Sequence, residues 1–249
     1  MLRRILPFVA FLFLASNAAA AFAQETPART GEQQKDAPKT ESAPKPDTTP
    51  APQATPMPGE RYKELVYRLK NGERDVDFTE LRMAYTESED YNPSESNHDA
   101  RIAMSNAFVM LNSPGALKIS SKLLEKNYTD LYAHYGAAVG NKNMDDTEKA
   151  DFHKFVFQGL FDSVRGGGDG KSAGKAFVVI STDEEYALIE FLGLRFKSQA
   201  LLNEGGHAYD KIVVVDPKTD KTFDLYFQID IPFGWLSRNG KGSSEQNKP

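Results

Sequence analysis

A serine framed by glycines, four histidines and a polar hairpin are the features of this 249-residue chain whose residue types and spacing could do chemistry. Gly170-Lys171-Ser172-Ala173-Gly174 fits the G-x-S-x-G pattern of a nucleophile elbow, and Asp183 and His207 follow in the order of an α/β-hydrolase triad. An elbow, however, is a strained turn from a strand into a helix. Ser172 lies in a glycine-rich run that leads into a strand, with no series of parallel strands ahead of it. Gly168-Asp169-Gly170-Lys171-Ser172 also invites comparison with a phosphate-binding loop, but the position five residues before Gly170 is Arg165, not glycine. His98, His134, His153 and His207 form no H-E-x-x-H pair, and there is no cysteine, so neither a zinc site nor another cofactor is implied. Asp169 and its neighbours lack the regular acidic spacing of a calcium loop. His207 stands apart, because Tyr209 shares its strand face and Asp210 is close by. His207, Tyr209 and Asp210 are therefore binding candidates, with Asp169 in the loop and Tyr132 and Tyr135 placed to line a helical groove.

The elements that position these residues begin after an export signal. Met1–Ala23 combines Arg3 and Arg4, the apolar run Ile5–Ala15 and the small-x-small sequence Ala21-Phe22-Ala23, the three parts of a cleavable signal peptide. An uncleaved anchor is the alternative, since the run approaches the ~18 residues of a spanning segment, though Pro7, Ser16 and Asn17 interrupt it. The expected address is the periplasm or the medium. Cleavage removes two of 30 basic residues and no acid, leaving 28 against 35 and a formal charge of −7. A mildly acidic chain without a basic stripe is suited neither to nucleic acid nor to an anionic membrane surface. Residues 24–58 hold eight of the 14 prolines among small polar residues and read as a disordered spacer. The stretch 237–249 reads as a tail.

From 59 to 165 the apolar spacing is helical. Tyr62, Leu65, Val66 and Leu69 make one stripe, stopped near Gly72. Asp77 and Glu80 suggest a capping box. A third helix is predicted over Asp99–Leu111, burying Ala103, Ala107, Phe108 and Leu111. Ser113-Pro114 suits the start of a fourth, Thr129 caps a fifth over Leu131–Val139, and Asp146 or Thr147 opens a sixth to Val164. The last three resemble tetratricopeptide-like hairpins, without a clean 34-residue repeat.

From 166 to 236 a glycine-rich loop precedes Phe177–Ile180, read as a strand buried on both faces. Ser181 and Glu184 make a second capping box, for a helix through Leu192. Leu194, Phe196, Ala200 and Leu202 are expected on one side of the next strand. Glu204-Gly205-Gly206 turns into His207–Val215. After the turn at Asp216–Lys221, Phe223, Leu225, Phe227, Ile229 and Ile231 alternate inward. The whole predicts an α+β fold: a bundle of short helices packed on a small, mainly antiparallel C-terminal sheet with one helix.

Several motifs carry a family resemblance. Tyr62-Lys63-Glu64-Leu65, Leu81-Arg82 with Ala84-Tyr85, Tyr91-Asn92-Pro93, Val179-Ile180-Ser181 and Glu184-Glu185-Tyr186 do so, as do Gly206-His207-Ala208-Tyr209-Asp210 and Tyr226-Phe227-Gln228-Ile229-Asp230. Together they resemble domain of unknown function 4919 over about Gly59–Trp235. The resemblance implies an exported or envelope-associated bacterial protein and assigns no activity. Two function classes follow. One is a non-enzymatic module that binds a protein or an envelope component. The alternative is a small hydrolase centred on His207 with Ser172 or Asp210.

Overall fold

The computed structural model describes residues 57–239. The expected signal peptide, nearly all of the proline-rich segment and most of the tail lie outside these residues. Six helices come first: α1 (Glu60–Lys70), α2 (Phe78–Tyr85), α3 (His98–Val109), α4 (Ser113–Lys126), α5 (Leu131–Asn143) and α6 (Thr147–Arg165). Then follow β1 (Phe177–Val178), α7 (Thr182–Phe191), β2 (Arg195–Glu204), β3 (His207–Asp216), β4 (Lys221–Gln228) and α8 (Asp230–Asn239). The arrangement is α+β, with one apolar core running through both parts. Leu65, Leu81 and Leu160 of the helices belong to the same buried cluster as Ile180, Leu188, Ile212 and Phe227.

Side-chain caps start α2, α4, α5, α6 and α7, at α4 and α5 one residue from the expected place, while α1 and α3 have none. Asp77 accepts from the N–H groups of Thr79 and Glu80, but Glu80 does not close the box. Its carboxylate turns to Arg61 at 2.6 and 2.9 Å. Asn112, not Ser113, caps α4, and Asp130, not Thr129, caps α5. Thr129 is held instead by Asn127. Both substitutes are Asx residues, whose carbonyl reaches the N3 amide as readily as a hydroxyl does.

The third helix buries a different face from the expected one. Arg101 and Met104 are buried, Ala107 and Phe108 pack partly, and Ala103 and Leu111 are exposed. The helix ends at Val109, and Leu111 takes a left-handed φ of 55° so that Asn112 N–H can bond Ala107 O at 2.8 Å. That closure carries Leu111 out to solvent. The buried face is set by α5, which comes so near that a Cβ on Gly136 would meet Met104 Sδ at 2.3 Å.

The sheet order is β1-β4-β3-β2, antiparallel except for the β1–β4 pair, where Phe177 lies beside Phe227. Only two residues of Phe177–Ile180 form strand, because Ser181 must reach its capping position directly after Ile180. A bulge at Lys197 changes the parity of β2. Phe196, Gln199 and Leu201 therefore lie opposite Val214, Ile212 and Asp210 on the core face, while Ala200 and Leu202 lie on the other face. The expected single apolar side does not exist, and nine of the ten β2 residues are exposed. In β4, Leu225 and Phe227 are buried, but Phe223 is 42% exposed. The alternation stops at Gln228. Asp230 begins α8, with Pro232 in its first turn, so Ile231 is helical rather than part of a strand.

Candidate functional site

A cleft lies where the 85–97 segment, the α4–α5 turn and the first turn of α7 meet. It is small, about 50 Å³, enough for one or two waters or the end of one side chain. Its walls carry Asp90, Glu95, Asp130, Asp183 and Glu184, with Lys126 paired to Glu95 at 2.8 Å, and tyrosines 85, 91 and 132. Each tyrosine is anchored: the Tyr91 hydroxyl donates to Ile180 O at 2.6 Å, that of Tyr132 to Glu190 at 2.7 Å, and that of Tyr85 to Asp90 O at 3.3 Å. Burial raises all three phenols above their ordinary range.

Behind this cleft two ion pairs join the helices to α7. Arg82 of α2 meets Glu184 in a bidentate pair at 2.8 and 2.6 Å and also donates to Val178 O at 2.9 Å. Glu184 accepts a further bond from Ile180 N–H at 2.9 Å, one residue before the Ser181 cap. Arg82 is 1% exposed and Glu184 5%. Arg101 of α3 pairs with Asp183 and lies over the Tyr132 ring at 4.5 Å. Its Nε is buried with no hydrogen-bond partner among the described residues. Asp130 accepts from Ala133 N–H at 2.9 Å and from Asn97 at 3.3 Å, and burial pushes its carboxyl upward. Asp90 is exposed on the rim, and no hydrogen bond or ion pair holds its carboxylate among the described residues.

The residues singled out from sequence are not gathered here. Tyr132 lines the cleft, whereas Tyr135 packs against Phe191 and Phe157 at ring distances of 5.1 and 5.8 Å. Asp169 is exposed in its loop and accepts from Lys171 N–H at 3.0 Å. His207 is exposed at the start of β3, its Nδ1 2.6 Å from Asp230 and its ring 6.3 Å from that of Tyr209, which is buried. Asp230 also accepts from Ala208 N–H at 2.8 Å and from Gln228 at 2.9 Å. Asp210 points to the opposite face of the sheet, where Gln199 donates to it at 2.5 Å. Ser172 is exposed, precedes the 3-10 turn Ala173–Lys175, and makes no side-chain hydrogen bond among the described residues. His207, Asp210 and Ser172 thus share no hydrogen bond.

Two further titratable pairs are wholly or partly buried. His134 and His153 face each other through their Nδ1 atoms at 3.0 Å, and His134 Nε2 lies 3.0 Å from Tyr128 O. Because Nε2–H donates to that carbonyl, Nδ1 of His134 is the acceptor and His153 donates to it. Burial lowers His134 to about 3 and His153 to about 4. Glu185, 1% exposed, sits near Asp210, and burial followed by the acids Asp210 and Glu184 raises its carboxyl far above the usual range. Among the described residues no three His, Asp or Glu side chains converge as a metal would require.

Sequence reasoning missed Arg82, Arg101, Asp230 and the deep burial of Glu184. One signal was present: Arg82 interrupts the apolar stretch Leu81–Tyr85, and Glu184 holds the N3 position of a cap. A family model described as Domain of unknown function (DUF4919) matches residues 59–234, and the chain belongs to that family. Neither the curated proteins nor the solved structures yield a match.

Proposed function

We propose that this protein is a non-enzymatic binding module of the bacterial envelope, whose cleft takes a cationic group from a protein or cell-wall partner. Its carrying observation is the cleft rim: among the described residues the carboxylate of Asp90 has no hydrogen-bond or ion-pair partner, whereas Glu95 is paired with Lys126 at 2.8 Å and Asp183 with Arg101. A pocket of one side chain's size recognises an anchor rather than enclosing a substrate. The separation of Ser172, His207 and Asp210 supports the same reading, since a nucleophile needs a base within hydrogen-bond reach. In this reading the segment Met1–Ala23 directs export and the proline-rich stretch is a spacer. The pairing of α4 with α5 and of α5 with α6 serves as tetratricopeptide-like scaffolding. Affinity capture from an envelope fraction, comparing the wild type with Asp90→Lys, tests it. A partner retained by the wild type and lost by a variant that melts normally is expected. Equal capture by both would sink the cleft. Labelling of Ser172 by an active-site serine probe, abolished by His207→Ala, would favour the hydrolase.

A further inference from the structure

The second surface with an identifiable occupant is the free edge of the sheet. Among the described residues β2 is the long edge strand of the sheet, ten residues and almost wholly exposed, with Leu201 53% exposed on the core face. A long edge of this kind offers a row of backbone donors and acceptors to another strand. Natural edges are blunted by charges, prolines, bulges or a covering element. Here the blunting is confined to one end, where the bulge sets Lys197.

Which strand fits the edge is decided by parity and charge. In an antiparallel pair, residues placed opposite each other must lie on the same face. The bulge puts Arg195, Ser198, Ala200, Leu202 and Glu204 on one face, and Phe196, Gln199, Leu201 and Asn203 on the other. A second copy of β2 running antiparallel satisfies this when Ala200 lies opposite Ala200. Gln199 then faces Leu201 and Ser198 faces Leu202. Beyond the bulge, Phe196 faces Asn203 and Arg195 faces Glu204. Both ends of the ribbon then carry an opposite-charge pair, and Lys197 is left unopposed in each copy. The two Leu201 side chains become diagonal neighbours across the axis. The smallest side chain of β2 sits on that axis. From this match of face, bulge and charge we infer that the protein self-associates into a two-fold dimer through antiparallel β2–β2 pairing, forming one continuous sheet across two copies.

Charge reversal and cross-linking of the full chain test the register, independently of the cleft. Arg195 and Glu204 lie at opposite ends of one strand and cannot pair within a chain. Sedimentation equilibrium should show a concentration-dependent dimer. Arg195→Glu or Glu204→Arg alone should weaken it about tenfold, since each places two like-charge pairs across the ribbon. Mixing the two single variants should restore association, because the heterodimer has both pairs complementary again. The chain has no cysteine, so Ala200→Cys introduces a lone thiol at the axis. Opposed Cα atoms there lie about 4.5–5.5 Å apart, within disulfide reach. Oxidation should link Ala200→Cys efficiently and Leu202→Cys poorly, the latter thiols being roughly 13 Å apart in this register. A wild type that stays monomeric at every concentration, no recovery on mixing, or equal linking of the two cysteine variants would each overturn the inference.

Discussion

The seam between the helices and α7 and the hairpin end at His207 use nearly the same polar device. In the seam Glu184 accepts from Arg82 and from Ile180 N–H. At the hairpin Asp230 accepts from His207, Gln228 and Ala208 N–H. What differs is water. Side-chain exposure is 1% and 6% for the Arg82–Glu184 pair against 53% and 37% for His207–Asp230. A buried charge must keep every partner, because nothing replaces a lost one. An exposed pair exchanges its partner for solvent at little cost. The first arrangement therefore holds the fold, and the second leaves a surface that can change without loss of structure.

Breaking the seam should have the largest effect. Arg82→Ala leaves Glu184 as an uncompensated buried charge and strands Val178 O, and should cost about 3–5 kcal/mol in denaturant unfolding. Removing both charges, as Arg82→Met with Glu184→Leu, should recover only part of this. Ile180 N–H and Val178 O would still lack partners. Full recovery would show that the backbone contacts matter less than the geometry implies.

Acid should act next, through the buried histidines. In the unfolded chain they titrate near ~6.5, whereas in the fold they hold near 3 and 4. The unfolded state therefore takes up protons first. Their contribution is complete above about pH 6.5 and is lost progressively as pH drops toward 4. Melts between pH 7 and pH 4 should show this slope, and His153→Asn should flatten it. Glu185 and Asp210, whose carboxyls are raised by burial, work in the opposite sense and blunt the fall. An unchanged slope in His153→Asn would assign the acid response to other groups.

The smallest effect is expected at the hairpin. His207→Ala removes exposed hydrogen bonds and should lower stability by no more than about 1 kcal/mol. A loss rivalling that of Arg82→Ala would erase the contrast between the two regions.

The legible part of this molecule was the part set by local pattern. The stripe Tyr62–Leu69, the cap at Asp77 and the turn at Gly205-Gly206 depend on neighbours a few residues away, so spacing reveals them. The face of α3 was hidden, because the contact that orients it is between Met104 and Gly136 on another helix. The inward face of β2 was hidden by one extra residue, Lys197, which shifts every later side chain to the other side. The cleft escaped for a related reason. Its anchors, Arg82 and Arg101, are long cations that ordinarily read as surface, and only tertiary placement buries them. Sequence spacing sets His207 beside Asp210, three residues on, but in the fold its ring bonds Asp230, brought to it by the adjacent strand, while Asp210 bonds Gln199 on the other face.

The seam also has a consequence for the time order of folding. Arg82 finds Glu184 across 102 residues, Val178 across 96, and Tyr91 finds Ile180 across 89. During synthesis α2 therefore emerges with a cation that has no buried partner until the chain has grown by about a hundred residues. Loop closure over such spans must precede the contacts that repay it, which slows the search relative to a bundle of local hairpins. The helices can flicker early, but Arg82 keeps α2 hydrated until α7 arrives. A chain built this way completes its buried seam only after α7 has been made, whatever the local hairpins do earlier.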